Sequence, residues 1–184
     1  MSEEKILIAG FGGQGVMMMG QLLAYCGNKL GFNSLWVPSY GPETRGGTAN
    51  CSIIISDSPI YSPVFQKARA VIIMNQPSLE KFLDRVADGG VLLINTSLVT
   101  LLKPMDKVSV CCIPVNDLAF ELGNLKVANT IMLGAYLAVS GLFTTDQISE
   151  VIADYLKDGK EKFIDINTKA LLRGYQYAKE NCKC

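Results

Sequence analysis

A chain of 184 residues, 49% of them apolar, is long enough to bury one substantial core. Seventeen Lys and Arg balance seventeen Asp and Glu, which excludes the strongly cationic surface expected of a nucleic-acid binder. Histidine, the side chain that titrates nearest neutrality, is absent, so acid–base work would fall to Asp, Glu, Lys, Tyr or Cys. No apolar run approaches a membrane span and the charged start Met1-Ser2-Glu3-Glu4-Lys5 lacks a secretory core, so the expectation is a cytoplasmic protein with no membrane contact.

In chain order, Ile6-Leu7-Ile8-Ala9 predicts a first strand over 4–9, followed by Gly10-Phe11-Gly12-Gly13-Gln14-Gly15 and a helix over about 14–30 closed by Gly31. Glycines permit the tight turn and leave the free N–H groups of the helix end open to a ligand or a partner. The helix is apolar over more than one face through Val16, Met17, Met18, Met19, Leu22, Leu23 and Ala24. Such a helix needs cover on several sides, from another chain or from its own core, where methionines commonly fill gaps.

A second strand over 33–37 leads into the loop Pro38-Ser39-Tyr40-Gly41-Pro42-Glu43-Thr44-Arg45-Gly46-Gly47. Residues 48–56 read as a strand, and Asp57-Ser58-Pro59 as the turn of a hairpin into a short extended piece. A buried strand over 70–74 precedes a helix from Pro77, with Leu79, Phe82, Leu83 and Val86 on one face and Asp88-Gly89-Gly90 as its stop. Strands over 91–94 and 108–113 and a mostly buried helix over 129–138 follow. Two amphipathic helices end the chain. One places Thr144 and Gln147 at capping-box spacing ahead of Ile148, Val151, Ile152, Tyr155 and Leu156; the other carries Phe163, Ile166, Ala170, Leu171, Gly174, Tyr175 and Ala178.

Strands alternating with helices predict an α/β protein: a single three-layer domain over 1–184, with a Rossmann-like, mostly parallel sheet and a helical C-terminal region. That region is expected to be either an outer layer or a docking arm. Six cysteines form no C-x-x-C pair, which argues against a zinc ribbon or an iron–sulfur cluster in this chain. Cys26, Cys51, Cys111 and Cys112 lie in apolar segments, as reduced cysteines acting as small hydrophobes do, while Cys182 and Cys184 are expected on a frayed tail open to incidental oxidation.

The glycine run also opens dinucleotide-binding folds, but those want an acidic residue for the ribose about 20 residues further on. Here the second strand ends in Trp36-Val37-Pro38-Ser39, and the nearest carboxylate is Glu43 in a separate loop. The turn is therefore read as a packing feature or as an anion- or partner-facing helix end, ahead of a nicotinamide-binding module. In the second loop, Gly41-Pro42 and Gly46-Gly47 bracket Glu43 and Arg45 at the ligand-binding edge of an open sheet. An Arg there can fork onto a carboxylate or phosphate; the alternative is a local Glu43–Arg45 pair or a bridge to a partner subunit.

Together, Gly10-Phe11-Gly12-Gly13-Gln14-Gly15 and Ser39-Tyr40-Gly41-Pro42-Glu43-Thr44-Arg45-Gly46-Gly47 resemble the gamma subunit of 2-oxoacid:ferredoxin oxidoreductases. Thr48-Ala49-Asn50-Cys51, Met74-Asn75-Gln76-Pro77-Ser78 and Asn129-Thr130-Ile131-Met132-Leu133-Gly134-Ala135 extend the match over most of the chain; of these, Thr48-Ala49-Asn50-Cys51 and Asn75-Gln76-Pro77-Ser78 look most like the 2-oxoglutarate type, with the branched-chain 2-oxoacid type as the alternative. The resemblance implies a subunit of an oxygen-sensitive complex that decarboxylates a 2-oxoacid, passing the acyl group to coenzyme A and electrons to ferredoxin or flavodoxin. It also implies that thiamine diphosphate with magnesium and the iron–sulfur clusters sit on companion subunits, and that this chain alone binds no cofactor or metal and supplies no catalytic residue. The residues expected to face a cofactor or a partner are Gly10, Gly12, Gly13, Gln14, Gly15, Ser39, Tyr40, Gly41, Pro42, Glu43, Arg45, Gly46, Gly47, Asn75 and Gln76. A purely structural assembly subunit is the alternative.

Overall fold

Alternating side chains of a strand point to opposite faces, and six strands here supply two apolar faces to one sheet. The computed structural model describes residues 3–41, 48–100 and 105–182. The strands are β1 (Glu4–Phe11), β2 (Asn33–Tyr40), β3 (Thr48–Ser56), β4 (Ala68–Ile73), β5 (Val86–Asn95) and β6 (Ser109–Ile113). Their order is β2-β3-β1-β4-β5-β6, and β3 alone runs against the rest. The expected α/β class and mostly parallel sheet are observed.

The helices are α1 (Val16–Lys29), α2 (Gln76–Phe82), α3 (Val115–Glu121), α4 (Ala128–Ser140), α5 (Thr145–Leu156) and α6 (Ile164–Asn181). They divide unequally between the faces. Ile6, Ile8, Ile53, Ile72, Leu93 and Cys111 point into a thick helical layer of α1, α4, α5 and α6. Leu7, Ala9, Ile54, Val71, Ile73 and Ile94 point to the other face, where α2 is joined by Phe65 and Val99. Most of the apolar circumference of α1 is thus covered within the chain, by β2 and β3 on one side and α4 and α5 on the other, while Met17 and Met18 stay half-buried. The C-terminal helices belong to that layer and are not a detached arm.

Two of the expected boundaries are corrected. The helix from Pro77 ends at Phe82 and passes through a 3-10 turn, Leu83–Arg85, directly into β5. Val86 is therefore a strand residue, and Asp88-Gly89-Gly90 lies inside β5, where pairing with β4 outweighs the helical spacing of the apolar side chains. The hairpin also falls elsewhere: β3 pairs with β2, Tyr40 facing Ala49, so the loop after Gly41 is the hairpin connection and Ser39 and Tyr40 are strand residues. Residues after Asp57 add no strand to β3. The capping box at α5 is formed as its spacing predicts, with Gln147 N donating to Thr144 Oγ1 at 3.2 Å and Thr144 N to Gln147 Oε1 at 2.9 Å.

Cys111 and Cys182 form a disulfide across a sequence separation of 71 residues, joining β6 to the end of α6. This corrects the reading of Cys111 as a reduced hydrophobe and of Cys182 as a frayed residue: α6 remains helical to Asn181 and carries Cys182 back to the sheet. In the chain-entropy description, closing a loop of that length disfavours the unfolded state by about 4 kcal/mol.

At the crossing of α4 and α6 the two backbones touch. A Cβ on Gly134 would lie 1.9 Å from the Leu171 carbonyl oxygen, and one on Gly174 would lie 1.8 Å from that of Ile131. Backbone cannot yield as a flexible side chain does, so Gly134→Ala or Gly174→Ala should destabilise the protein by about 3 kcal/mol or prevent folding. Urea denaturation of the variants measures this; a loss within experimental error would show that the helices can part at no cost.

Glu4 is buried at the start of β1, where desolvation holds its carboxyl above the ordinary range despite Arg69 and Tyr136 nearby. A raised folded-state value means that the folded protein keeps this proton longer than the unfolded chain. Its stabilising contribution is therefore full at low pH and lost as pH rises through the raised value. The melting temperature of Glu4→Gln, relative to wild type, should increase as pH is raised from the ordinary carboxylate value toward neutrality. A pH-independent difference would remove this role.

Candidate functional site

β1 sends the chain through α1 toward β2 on one side of the sheet order, whereas β4 sends it through α2 toward β5 on the other. The carboxyl ends of β1 and β4 therefore flank a topological switch point, the usual ligand crevice of an open α/β sheet. The residues that open this crevice are Gly10 to Gly15 at the end of β1, and Met74, Asn75 and Gln76 after β4. Phe11 pairs with Thr48, and Tyr40 with Ala49, so the β2–β3 connection leaves from the same edge.

The glycines have different physical reasons. Gly10 is packed: a Cβ there would lie 2.7 Å from Gln14 Oε1 and 2.9 Å from Met74 Cβ. Gly15 caps α1 with φ +73° and faces Asn129, whose Nδ2 a Cβ would meet at 2.4 Å. Gly12 and Gly13 have open space where a Cβ would be, and both are exposed at the tip of the turn. Of the expected site glycines among the described residues, these two alone face outward.

Gln14 holds the turn closed. Its Oε1 accepts from Phe11 N at 2.7 Å and Asn75 Nδ2 at 3.2 Å, while its Nε2 donates to the Met74 carbonyl at 3.2 Å. Asn75 in turn caps α2, accepting from Ser78 N at 2.9 Å. Asn95 Nδ2 donates to the same Met74 carbonyl at 3.2 Å and to Asn116 Oδ1 at 2.8 Å. Gln76 accepts from Thr100 N at 2.9 Å. Four carboxamides thus knit the carboxyl ends of β1, β4 and β5 to the start of α3.

Beside the network is a cleft of about 170 Å³, lined by Gly13, Gln14, Met74, Asn116, Leu125, Lys126, Ala128 and Asn129. Its lining offers amide donors and acceptors, one lysine and a leucine, a chemistry that can orient a polar ligand or a partner surface. Under α1, Cys51 Sγ donates to the Val16 carbonyl at 3.5 Å, and burial pushes its thiol up to about 12, so Cys51 remains a neutral packing group. Among the described residues, no group of three or more His, Cys, Asp or Glu is placed to hold a metal ion, and no helix is long and apolar enough to cross a membrane.

Ser39, Tyr40 and Gly41 lie at the end of β2, and Tyr40 is exposed. Pro42, Glu43, Arg45, Gly46 and Gly47 lie outside the described residues. The sequence carries no motif at Asn95, which ends β5, or at Asn116 and Lys126, in α3 and its connection to α4, and it marks Asn129 only as part of a helix start. A polar residue closing an apolar strand, as Asn95 closes Leu92-Leu93-Ile94, is the one signal that could have found the network.

A glycine turn and carboxamide network at the switch point of a six-stranded, mostly parallel sheet define a Rossmann-like α/β domain. The chain belongs to the pyruvate ferredoxin/flavodoxin oxidoreductase family, whose model matches residues 5–177. It is 40% identical over 97% of its length to ketoisovalerate oxidoreductase subunit VorA of Methanothermobacter thermautotrophicus, and spans 37% of the length of that relative. It is 34% identical to 2-oxoglutarate synthase subunit KorC of Methanocaldococcus jannaschii, covering 96% of this chain and 95% of that one. The crystal structure of the gamma subunit of keto/oxoacid ferredoxin oxidoreductase from Geobacter sulfurreducens superposes over all of both chains, with a TM-score of 0.86 and 28% identity.

Replacing Gln14 with Ala removes three hydrogen bonds and leaves Phe11 N and the Asn75 amide without their acceptor. Gln14→Ala should cost about 2 kcal/mol, and amide exchange should accelerate at Phe11 and Ser78 ahead of the strand interiors. Hydrogen-exchange mass spectrometry tests this; unchanged protection would mean that the turn is held by other contacts.

Proposed function

We propose that the chain is the gamma subunit of a 2-oxoacid:ferredoxin oxidoreductase, inactive alone and working in a cytoplasmic complex with thiamine-binding and ferredoxin-like subunits. The observation that carries this reading is similarity along nearly the whole chain to a 2-oxoglutarate synthase subunit of the same size. Two relatives are named for different oxoacids, 2-oxoglutarate and ketoisovalerate, and the substrate is assigned at the level of the 2-oxoacid class. Thiamine diphosphate with magnesium and iron–sulfur clusters on the companion subunits would supply the decarboxylation and the path for electrons to ferredoxin or flavodoxin.

The contribution of this chain is cover and orientation. The edge bearing Gly12 and Gly13 closes over the entrance for coenzyme A and the oxoacid, and their open backbone supports the approach of an anionic group to the start of α1. Gln14 and Asn75 hold the turn in place, and Arg45 pairs with an anionic ligand group or with an opposing carboxylate. Excluding water at such an entrance protects the reacting centre. The open cleft chemistry favours this role over a ligand-free assembly subunit.

Reconstitution tests the proposal. Coexpressed with its thiamine-binding and ferredoxin-like companions, the chain should be required for coenzyme A-dependent reduction of ferredoxin by a 2-oxoacid, and should be inert by itself. Arg45→Ala in that complex should raise the KM for coenzyme A or for the oxoacid by about tenfold, or weaken assembly. Turnover by the lone chain, or full activity of the companions without it, would overturn the reading.

A further inference from the structure

At the opposite edge of the sheet, where β1, β4, β5 and β6 begin, lies a second cleft of about 200 Å³. It is far larger than one water, about 30 Å³ in the liquid, and smaller than the roughly 300 Å³ at which sites for larger organic ligands begin. Glu4, Arg69, Ser109 and Ser140 supply its polar groups, Val91 and Val139 its apolar walls, and Gly89-Gly90 its floor. A Cβ on Gly90 would lie 2.7 Å from the Arg69 carbonyl oxygen, so that position admits no side chain.

Glu4 and Arg69 are only loosely engaged. The Glu4 side chain is 11% exposed and that of Arg69 67% exposed, and they meet through a single Nε–Oε2 contact of 3.7 Å. The hydroxyl of the fully buried Tyr136 donates to the other oxygen of Glu4 from 3.4 Å. A carboxylate and guanidinium that serve each other close to about 2.8 Å and commonly pair twice. This carboxylate is desolvated without being saturated, while most of the guanidinium stays in water. A further donor in the cleft would find an acceptor already stripped of solvent.

The two signs also select the ligand. Arg69 repels a simple cation and Glu4 repels a simple anion, but a molecule carrying both charges satisfies each. We propose that this cleft binds a small zwitterion of the α-amino acid class, its ammonium on Glu4 and its carboxylate on Arg69, with Val91 and Val139 beside a small aliphatic side chain. Burial holds the Glu4 carboxyl above its ordinary range, and an ammonium partner would reverse that by favouring the charged form. The site lies at the other end of the strands from Gly12 and Gly13, and its occupancy does not depend on the reading given to that edge.

The experiment is a calorimetric titration of the full chain with glycine, L-alanine and L-valine, alongside methylammonium chloride and sodium acetate as probes of each charge alone. At least one amino acid should saturate a single site, with each half-probe weaker by about tenfold or more. Arg69→Ala, at an exposed side chain, should keep the fold by circular dichroism and weaken amino-acid binding by at least about tenfold; Glu4→Gln should do the same. Absence of saturation by all three amino acids would overturn the proposal. So would binding that Arg69→Ala leaves unchanged, or half-probes that bind as well as the zwitterion.

Discussion

The carboxyl edge of this protein depends on one side chain. Gln14 gives its oxygen to Phe11 N and to Asn75 and its amide to the Met74 carbonyl, so one residue of the glycine turn joins β1 to the end of β4 and to the cap of α2. A carboxamide is suited to this because it donates and accepts without charge, and can be half-buried without a counter-ion. The turn is thereby held with Gly12 and Gly13 outward, while Gly10 and Gly15 are committed to packing. The outward backbone is a consequence of the inward amide.

A second constraint acts on α4. Every residue from Ala128 to Leu137 is buried, since the sheet lies on one side and α6 presses on another through Gly134 and Gly174. The beginning of this helix lines the glycine-turn cleft and its end lines the cleft with Glu4. One rigid, fully packed element thus spans the sheet between the two concave edges. Among the described residues the opposite face has α2 as its one α-helix, so the thickness of the layers, like the chemistry of the edges, is asymmetric.

The strands with the strongest apolar runs were legible in sequence because burial on both faces demands such runs: 4–9, 48–56 and 70–74 fall within one or two residues of β1, β3 and β4. The capping box before α5 was legible because it is a local hydrogen-bonding device. What local pattern could not convey was pairing. Val86 sits at helical spacing from Phe82, yet it pairs beside Ala68, and β3 could be joined to either flanking segment until its register with β2 was seen. Of the site, the glycine turn, Gln14 and Asn75 could be read as motifs. Asn95 and Asn116 could not, because their meaning lies in a carbonyl and an amide that long-range folding brings to them.

The bond between Cys111 and Cys182 encloses everything from α3 to α6 in one covalent ring. Any single peptide bond within that ring can be cut without producing two separate polypeptides. A protease that enters the exposed turn around Gly159 would leave both fragments attached through sulfur, with α6 still anchored to β6. The C-terminal helices are in that sense protected twice, by packing against α4 and by a topology in which one nick does not release them.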